Sequence, residues 1–461
     1  MKHVIVLLLC AFISIAALHN TGANEQEHVP IATPVQEKVQ GSSGVVAIEG
    51  GLRLEDALKL SLQYNRELQI GLEEKNIAKG RTWEAYGEAL PTVTMNGSYT
   101  RMDEVLSFEF DGMKVDLGFL NNYSTTLNVT QPLYRGGRTG AALRASKLYK
   151  ALVDANIRSL VIGTLFETEK AYYDTLLAQE QFKVTEKYVK LAEAHAKDVE
   201  TKRKYGVASN FNVLRSQVEL SNARAQMINY RHHFQIALVS LLKTMGVSQD
   251  SQVELADQLI YNPVQVNEEE AYRQALINRP DLEGSRLTIK LQKEAVVSAK
   301  SNYWPGVDAF INWTLSKPDP HISMIDKWGT AWNAGISFNF TLFDGLRREG
   351  SLIRERATLK QYQTRFLDSQ EQIKFEVDRA LKAITNAAEA LEVQKLTLDQ
   401  ANEGLRLAEA GYKEGVLDQV SVLEARAALT QAQLLYYNSL YIHSLAKLEL
   451  QRATGILKSG Q

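Results

Sequence analysis

The chain contains a single cysteine, Cys10, in 461 residues. It sits in the apolar run Val4 to Ala17, after Leu7-Leu8-Leu9, where the small residues of a lipoprotein processing site are missing. Lys2 and His3 give that run a short polar start, and small residues follow around Thr21-Gly22-Ala23, the pattern of a secretory signal. Residues 1–23 are therefore expected to be a signal peptide, cut between Ala17 and Asn24. The competing reading, an uncleaved anchor, needs about 20 apolar residues to span a bilayer, and this run is shorter and broken by Ser14. A mature chain without cysteine has no disulfide. No other apolar run approaches the length of a membrane helix, so any crossing of a membrane must use strands, because only helices and closed barrels satisfy every backbone polar group in lipid. Charge of one sign is lacking too: 52 basic side chains face 54 acidic ones, which argues against nucleic acid as a ligand.

Catalytic and cofactor constellations are equally scarce. His232 and His233 are adjacent, so on a helix they point apart and do not clamp one metal. Gly136, Gly137 and Gly140 lack the lysine of a phosphate-cradling loop, and no serine stands in a nucleophile elbow. The sequence implies no cofactor and no enzyme.

What is present is one plan, written twice. Asn65-Arg66-Glu67-Leu68 recurs in altered form as Asn278-Arg279-Pro280-Asp281-Leu282, the leucines 214 apart, and Pro91 precedes Pro305 by the same 214. Downstream the offset is 209, relating Gly136 to Gly345, Gly206-Val207 to Gly415-Val416, Val213-Leu214 to Val422-Leu423 and Gly246 to Gly455. One loop of altered length between Pro91 and Gly136 accounts for the change. After a polar linker, 24–51, the first repeat spans 52–246, a connector 247–267, the second repeat 268–456 and a tail 457–461.

Each repeat reads as short helix, medium helix, two strands, very long helix, medium helix. Helices are expected near 54–64 and 66–90, strands at 92–102 and 123–133, a long helix over 139–205 and another over 210–245. The second repeat places helices near 268–278 and 281–303, strands at 306–317 and 330–343, and helices at 347–412 and 418–454. Beyond Gly140 in its first turn, only Gly163 and no proline interrupts 139–205, giving a rod on the order of 100 Å. Val377, Ile384, Leu391, Leu398, Leu405 and Tyr412 recur every seventh position, the mark of a coiled-coil seam.

The strands decide between a soluble coiled coil and a membrane protein. Val307, Ala309, Ile311, Trp313 and Leu315 alternate with Asp308, Phe310, Asn312, Thr314 and Ser316; Trp332, Ala334, Ile336, Phe338 and Phe340 alternate with Asn333, Gly335, Ser337, Asn339 and Thr341. A soluble sandwich also alternates, but its wet face uses Lys and Glu rather than small uncharged residues. Aromatic residues gather at strand ends, as an interfacial girdle requires. Trp313, Ile336 and Phe338 are thus expected to face outer membrane lipid. Four strands do not close a barrel, for which about eight is the minimum, so other copies must complete it.

These features resemble the TolC-like outer membrane efflux proteins, over nearly the whole chain from Leu54 to Gly455. The resemblance is carried by the paired tips Tyr205-Gly206-Val207 through Val213-Leu214 and Gly411-Tyr412-Lys413-Glu414-Gly415-Val416 through Val422-Leu423-Glu424, and by the proline-led strands. It implies a mainly α fold with a membrane β-barrel: a homotrimer with a twelve-stranded barrel and a periplasmic α-barrel whose far end closes as an iris. It also implies a periplasmic adaptor (membrane fusion) protein and an inner-membrane efflux pump or ABC secretion ATPase as partners, in efflux or type I secretion. By motif position Tyr412 matches a tying tyrosine of the iris and Glu424 a ring acid, while Asn212, Leu417 and Ser421 stand where the family has an aspartate, an arginine and a second ring acid. Gly206, Val207, Ser209, Gly415, Val416 and Gln419 fall at the tips that would touch the adaptor. The alternatives are a soluble periplasmic coiled-coil adaptor or scaffold, and an enzyme with an unrecognised site.

Overall fold

The computed structural model describes residues 51–110, 112–264, 267–322 and 324–457. The expected signal peptide, nearly all of the linker and all but the first residue of the tail lie outside them. The first half contains α1 (Leu54–Tyr64), α2 (Arg66–Gly87), β1 (Thr92–Arg101), β2 (Ser107–Phe110), β3 (Met113–Asp116), β4 (Asn121–Arg135), α3 (Arg138–Lys204) and α4 (Asn210–Met245). The second contains α5 (Glu268–Asn278), α6 (Pro280–Ser301), β5 (Gly306–Lys317), β6 (Gly329–Asn339), α7 (Arg347–Lys413) and α8 (Gln419–Ala453). Corresponding helices have near-equal lengths: 11 residues for α1 and α5, 22 for α2 and α6, 67 for α3 and α7, and 36 and 35 for α4 and α8.

Several boundaries differ from the sequence reading for local reasons. The medium helix α2 stops at Gly87, not residue 90, because Leu90 precedes Pro91 and is pushed out of the helical region. Strand β6 ends at Asn339, not 343, because Asn339 pairs with Gly306, the first residue of β5, and no partner lies beyond it. Strand β4 starts at Asn121, opposite the last residue of β1, and ends at Arg135. Its helix-side end carries a bulge between Pro132 and Tyr134, where a proline that donates no ladder bond is tolerated. The hairpin β2–β3 was not expected.

The main sheet has the order β1-β4-β5-β6, all antiparallel, with β1 and β6 as its edges. The long helices pack as hairpins, α3 with α4 and α7 with α8, and α3 also meets α8. At 1.5 Å per residue, α3 and α7 each extend roughly 100 Å. Their strand-side start turns on residues in the left-handed region. Gly137 (φ 90°) begins α3 and Leu346 (φ 67°) begins α7, while Gly136 lies so close to Ser301 that a Cβ would meet its carbonyl oxygen at 2.5 Å.

The largest core lies where α1, α3, α4 and the connector converge. The hydroxyl of Tyr172, fully buried, lies 2.8 Å from both the Leu52 carbonyl oxygen and Asp257 Oδ2, which share its one proton, and Asp257 also accepts from the Leu54 amide. Leu391 of α7 and Leu440 of α8 enter the same core, tying the two halves together. A second core joins α5, α6, α7 and α8 around Ile373, Val377 and Ile384. Of the heptad residues, Val377, Ile384 and Leu391 are buried, while Leu398, Leu405 and Tyr412, nearer the tip, are half-buried. No helix among the described residues is long and apolar enough to cross a membrane.

Candidate functional site: the two-faced sheet and the helix tips

Register sorts the sheet into two chemistries. Met95, Leu127, Trp313 and Trp332 form one row across all four strands, and Val93, Val129, Ile311 and Ala334 form another. Between them runs the row Thr94, Asn128, Asn312 and Asn333. Because successive side chains alternate faces, the apolar rows share one face and the amide and hydroxyl rows the other. Trp313, Ile336 and Phe338 lie on the apolar face, whose Trp332, Ile336 and Phe338 are 75, 70 and 67% exposed. Phe310 is the large apolar exception on the polar face. Its ring occupies the space over Gly335, where a Cβ would approach it to 2.9 Å.

The tips at the opposite ends of α3 and α7 are built alike. Gly206 (φ 79°) and Gly415 (φ 75°) adopt the left-handed conformation that ends a helix. Val207 N–H donates to Lys202 at 2.9 Å and Val416 N–H to Gly411 at 2.8 Å, closing the last carbonyls. The next helices start on side-chain caps: Ser209 Oγ accepts from the Asn212 amide at 3.2 Å, and Asp418 Oδ1 accepts from the Ser421 amide and hydroxyl at 2.9 and 2.8 Å. Those bonds to Ser421 hold the Asp418 carboxyl below the usual range. Ser421 thus completes a cap, and Leu417 folds over Gly411, where a Cβ would lie 2.8 Å from its Cδ1. Tyr412 meets Lys202, whose ammonium lies 5.0 Å from the ring centroid, whereas the Asn212 backbone is engaged by Ser209. Glu424 is exposed on α8, and Val207 and Val416 project into solvent.

Gln419 departs from its expected place at the free surface. It is only 9% exposed and its amide lies 2.9 Å from His195 Nε2 of α3. With the imidazole neutral and its proton on Nδ1, Nε2 accepts from that amide. Around this contact is a polar layer that the sequence reading missed. Arg426 of α8 pairs with Glu409 of α7 at 2.9 Å, and Tyr188 of α3 donates to Glu219 of α4 at 3.0 Å. Burial pushes the His195 imidazolium toward losing its proton, helped by the charges of Arg426 and Lys202 and opposed by Asp198. Burial also raises the Glu219 carboxyl and pushes the Tyr188 phenol up to about 12. The available signal was a histidine inside the buried stripe Thr185, Val189, Ala192, His195 and Val199, spaced by threes and fours.

Comparison with known proteins agrees with this geometry. The family described as "Outer membrane efflux protein" matches residues 76–247 and 271–456. The toluene efflux pump outer membrane protein TtgC of Pseudomonas putida is 25% identical over 423 residues, covering 88% of this chain and 83% of that protein. The cobalt-zinc-cadmium resistance protein CzcC of Cupriavidus metallidurans is 21% identical, covering 84% and 86%. The crystal structure of the Campylobacter jejuni CmeC outer membrane channel superposes with a TM-score of 0.76 at 16% identity, covering 87% of this chain and 85% of that one.

Proposed function

The chain belongs to the outer membrane efflux protein family, is not an enzyme and resides in the outer membrane with a long periplasmic helical part, and from that premise we propose that it is the exit duct of a tripartite export machine. The observation that carries the reading is the sheet. Its two edges, β1 and β6, have no partner strand among the described residues, and its two faces differ in chemistry. Copies of the chain join edge to edge, since an open edge in lipid leaves backbone groups unsatisfied. Three copies give a barrel of twelve strands, each long enough at about 3.3 Å per residue to span the hydrocarbon layer. Trp313, Ile336 and Phe338 then meet lipid, and the amide and hydroxyl rows line a wet lumen, where the carboxylate of Asp308 is paired with Arg135 at 2.8 Å.

An internal duplication supplies the matching halves of the protomer. Long helices from the three copies form the periplasmic tube, and the tips are its entrance, where Val207, Ser209 and Val416 meet a periplasmic adaptor. An inner-membrane pump or secretion ATPase supplies the driving force, and export through the duct itself is passive. Glu424, repeated around the axis, gives the entrance a preference for cations. Membrane fractionation tests the proposal: a detergent-extracted, heat-sensitive oligomer in the outer membrane supports it, and a heat-insensitive monomer excludes a shared barrel.

A further inference from the structure

We propose that His195 and Gln419 form a proton-sensitive latch that holds the two helical hairpins of one protomer together near the tip and releases them in acid. The inference deepens the reading of the tips as an entrance and rests on it for its consequence, since parting the hairpins widens that entrance. The contact itself stands on geometry alone.

Gln419 is the first residue of α8, directly after the Asp418 cap, and His195 lies on α3 within the last three turns before the other tip. The bond between them spans 224 residues of sequence and is buried. It therefore links one hairpin to the other, not one helix to its own partner. A second link, Lys202 against the Tyr412 ring, lies closer to the end of the rods. Both links run from α3, to α8 in one case and to the end of α7 in the other.

A proton on His195 changes this contact in two ways. Nε2 stops accepting and becomes a donor, so the amide N–H of Gln419 loses its acceptor. A full positive charge also enters a buried layer that already holds cations. From α8 it faces Arg426, whose own partner is Glu409 of α7. On α3 it faces Lys202 and, in compensation, Asp198, which is itself paired with Lys202 at 2.9 Å. From α4 the layer contains Glu219, bonded to Tyr188 and coupled to Arg426, with Arg215 nearby. The carboxylates are thus already committed to other cations or to a phenol. A buried imidazolium without its own counter-ion is relieved by moving the hairpins apart and admitting water. The sign follows: the neutral form is favoured in the packed state, so the contact is intact above the ordinary histidine range and is lost as pH falls through the lowered value.

The test uses the full chain as its purified oligomer, with spin labels at Lys204→Cys and Glu414→Cys, both exposed and one on each hairpin. Labelled protomers are diluted with unlabelled ones, so the distance is read within a single protomer. Between about pH 7.5 and about pH 5 the population with separated labels is expected to rise by up to about thirtyfold, since the neutral fraction of a released imidazole falls about tenfold for each pH unit below its ordinary value near 6.5. His195→Gln keeps a neutral polar group in the layer and is expected to remain closed at both pH values. Gln419→Ala removes the latch partner and is expected to show separated labels already at the higher pH, which keeps the proposal testable if the histidine variant assembles poorly. An unchanged distance in the wild type, or an acid response undiminished in His195→Gln, overturns the latch. Conductance recorded on the same samples separates the two readings: acid-induced separation without any pore keeps the latch and removes the duct.

Discussion

The hydroxyls of Thr126 and Thr314, 188 residues apart in sequence, lie 3.1 Å from each other across β4 and β5. This bond joins the strands of the two halves and fixes their register. A slip of β5 by one residue against β4 would carry Trp313 onto the amide face and Asn312 onto the apolar one. The pairing therefore preserves two faces across four strands, and each face has its own tolerance for charge.

Ile336→Arg is expected to destabilise the assembled oligomer by about 2 to 4 kcal/mol, the usual effect of a cation near the bilayer midplane. Ser337→Arg, one residue along and on the opposite face, should cost far less. Urea titration of each variant in lipid vesicles measures the difference. Equal loss for both would show that the faces are not lipid and lumen.

Gly246 lies against the turn between α1 and α2, where a Cβ on it would be 2.2 Å from the Tyr64 carbonyl oxygen. Its φ of 79° adds backbone strain for any other residue. Gly246→Ala is expected to cost about 1 to 2 kcal/mol for the left-handed backbone and about 1 to 3 kcal/mol more for the forced shift. Gly206 has the same φ with nothing within 4 Å, so Gly206→Ala bears the backbone part alone. Thermal unfolding of the two variants compares them directly, and a Gly206 variant as damaged as the Gly246 one would contradict the packing argument.

Arg279, between α5 and α6, donates to both oxygens of Asp281 at 3.1 and 2.7 Å and also reaches Glu376 of α7. Burial alone would push both carboxyls up, but the guanidinium's hydrogen bonds prevail and leave them below the usual range. Their contribution is complete above the ordinary carboxylate value, about pH 4, and falls away as pH drops through the lowered ones. Arg279→Met should cost about 2 kcal/mol near neutral pH. It should also flatten the loss of stability on the acid side. Unfolding curves that fall in parallel for wild type and variant through that window would count against the pair.

Photocrosslinkers at Ser209 and Val416 should capture a periplasmic adaptor, whereas one at Asn121, at the far end of β4, should not. Gln419 is unsuited as a crosslinking position because its side chain is buried against His195. Capture of equal yield at all three positions would remove the tips as the docking site.

Much of this was readable from the chain because the signals are local. The strands show themselves by alternation, and the rods by the absence of proline over 67 residues. Glycines at the tips announced their turns. The small hairpin β2–β3 escaped although Asp111-Gly112, between two short runs of mixed polarity, is a strong hairpin signal in sequence. The layer around His195 escaped for a different reason. Its members lie on four helices, and nothing in the neighbourhood of Gln419 in sequence points to a histidine 224 residues away. Ser421 and Leu417, where the sequence departs from the family pattern, take up a cap and a packing contact of their own.

The central claim is that copies of this chain enclose a water-filled path, and recording from the purified oligomer in planar lipid bilayers tests it most directly. The account predicts discrete conductance steps that favour cations, with the preference reduced in Glu424→Gln. A pure, correctly sized oligomer that inserts and never conducts, at neutral or acid pH, would contradict it.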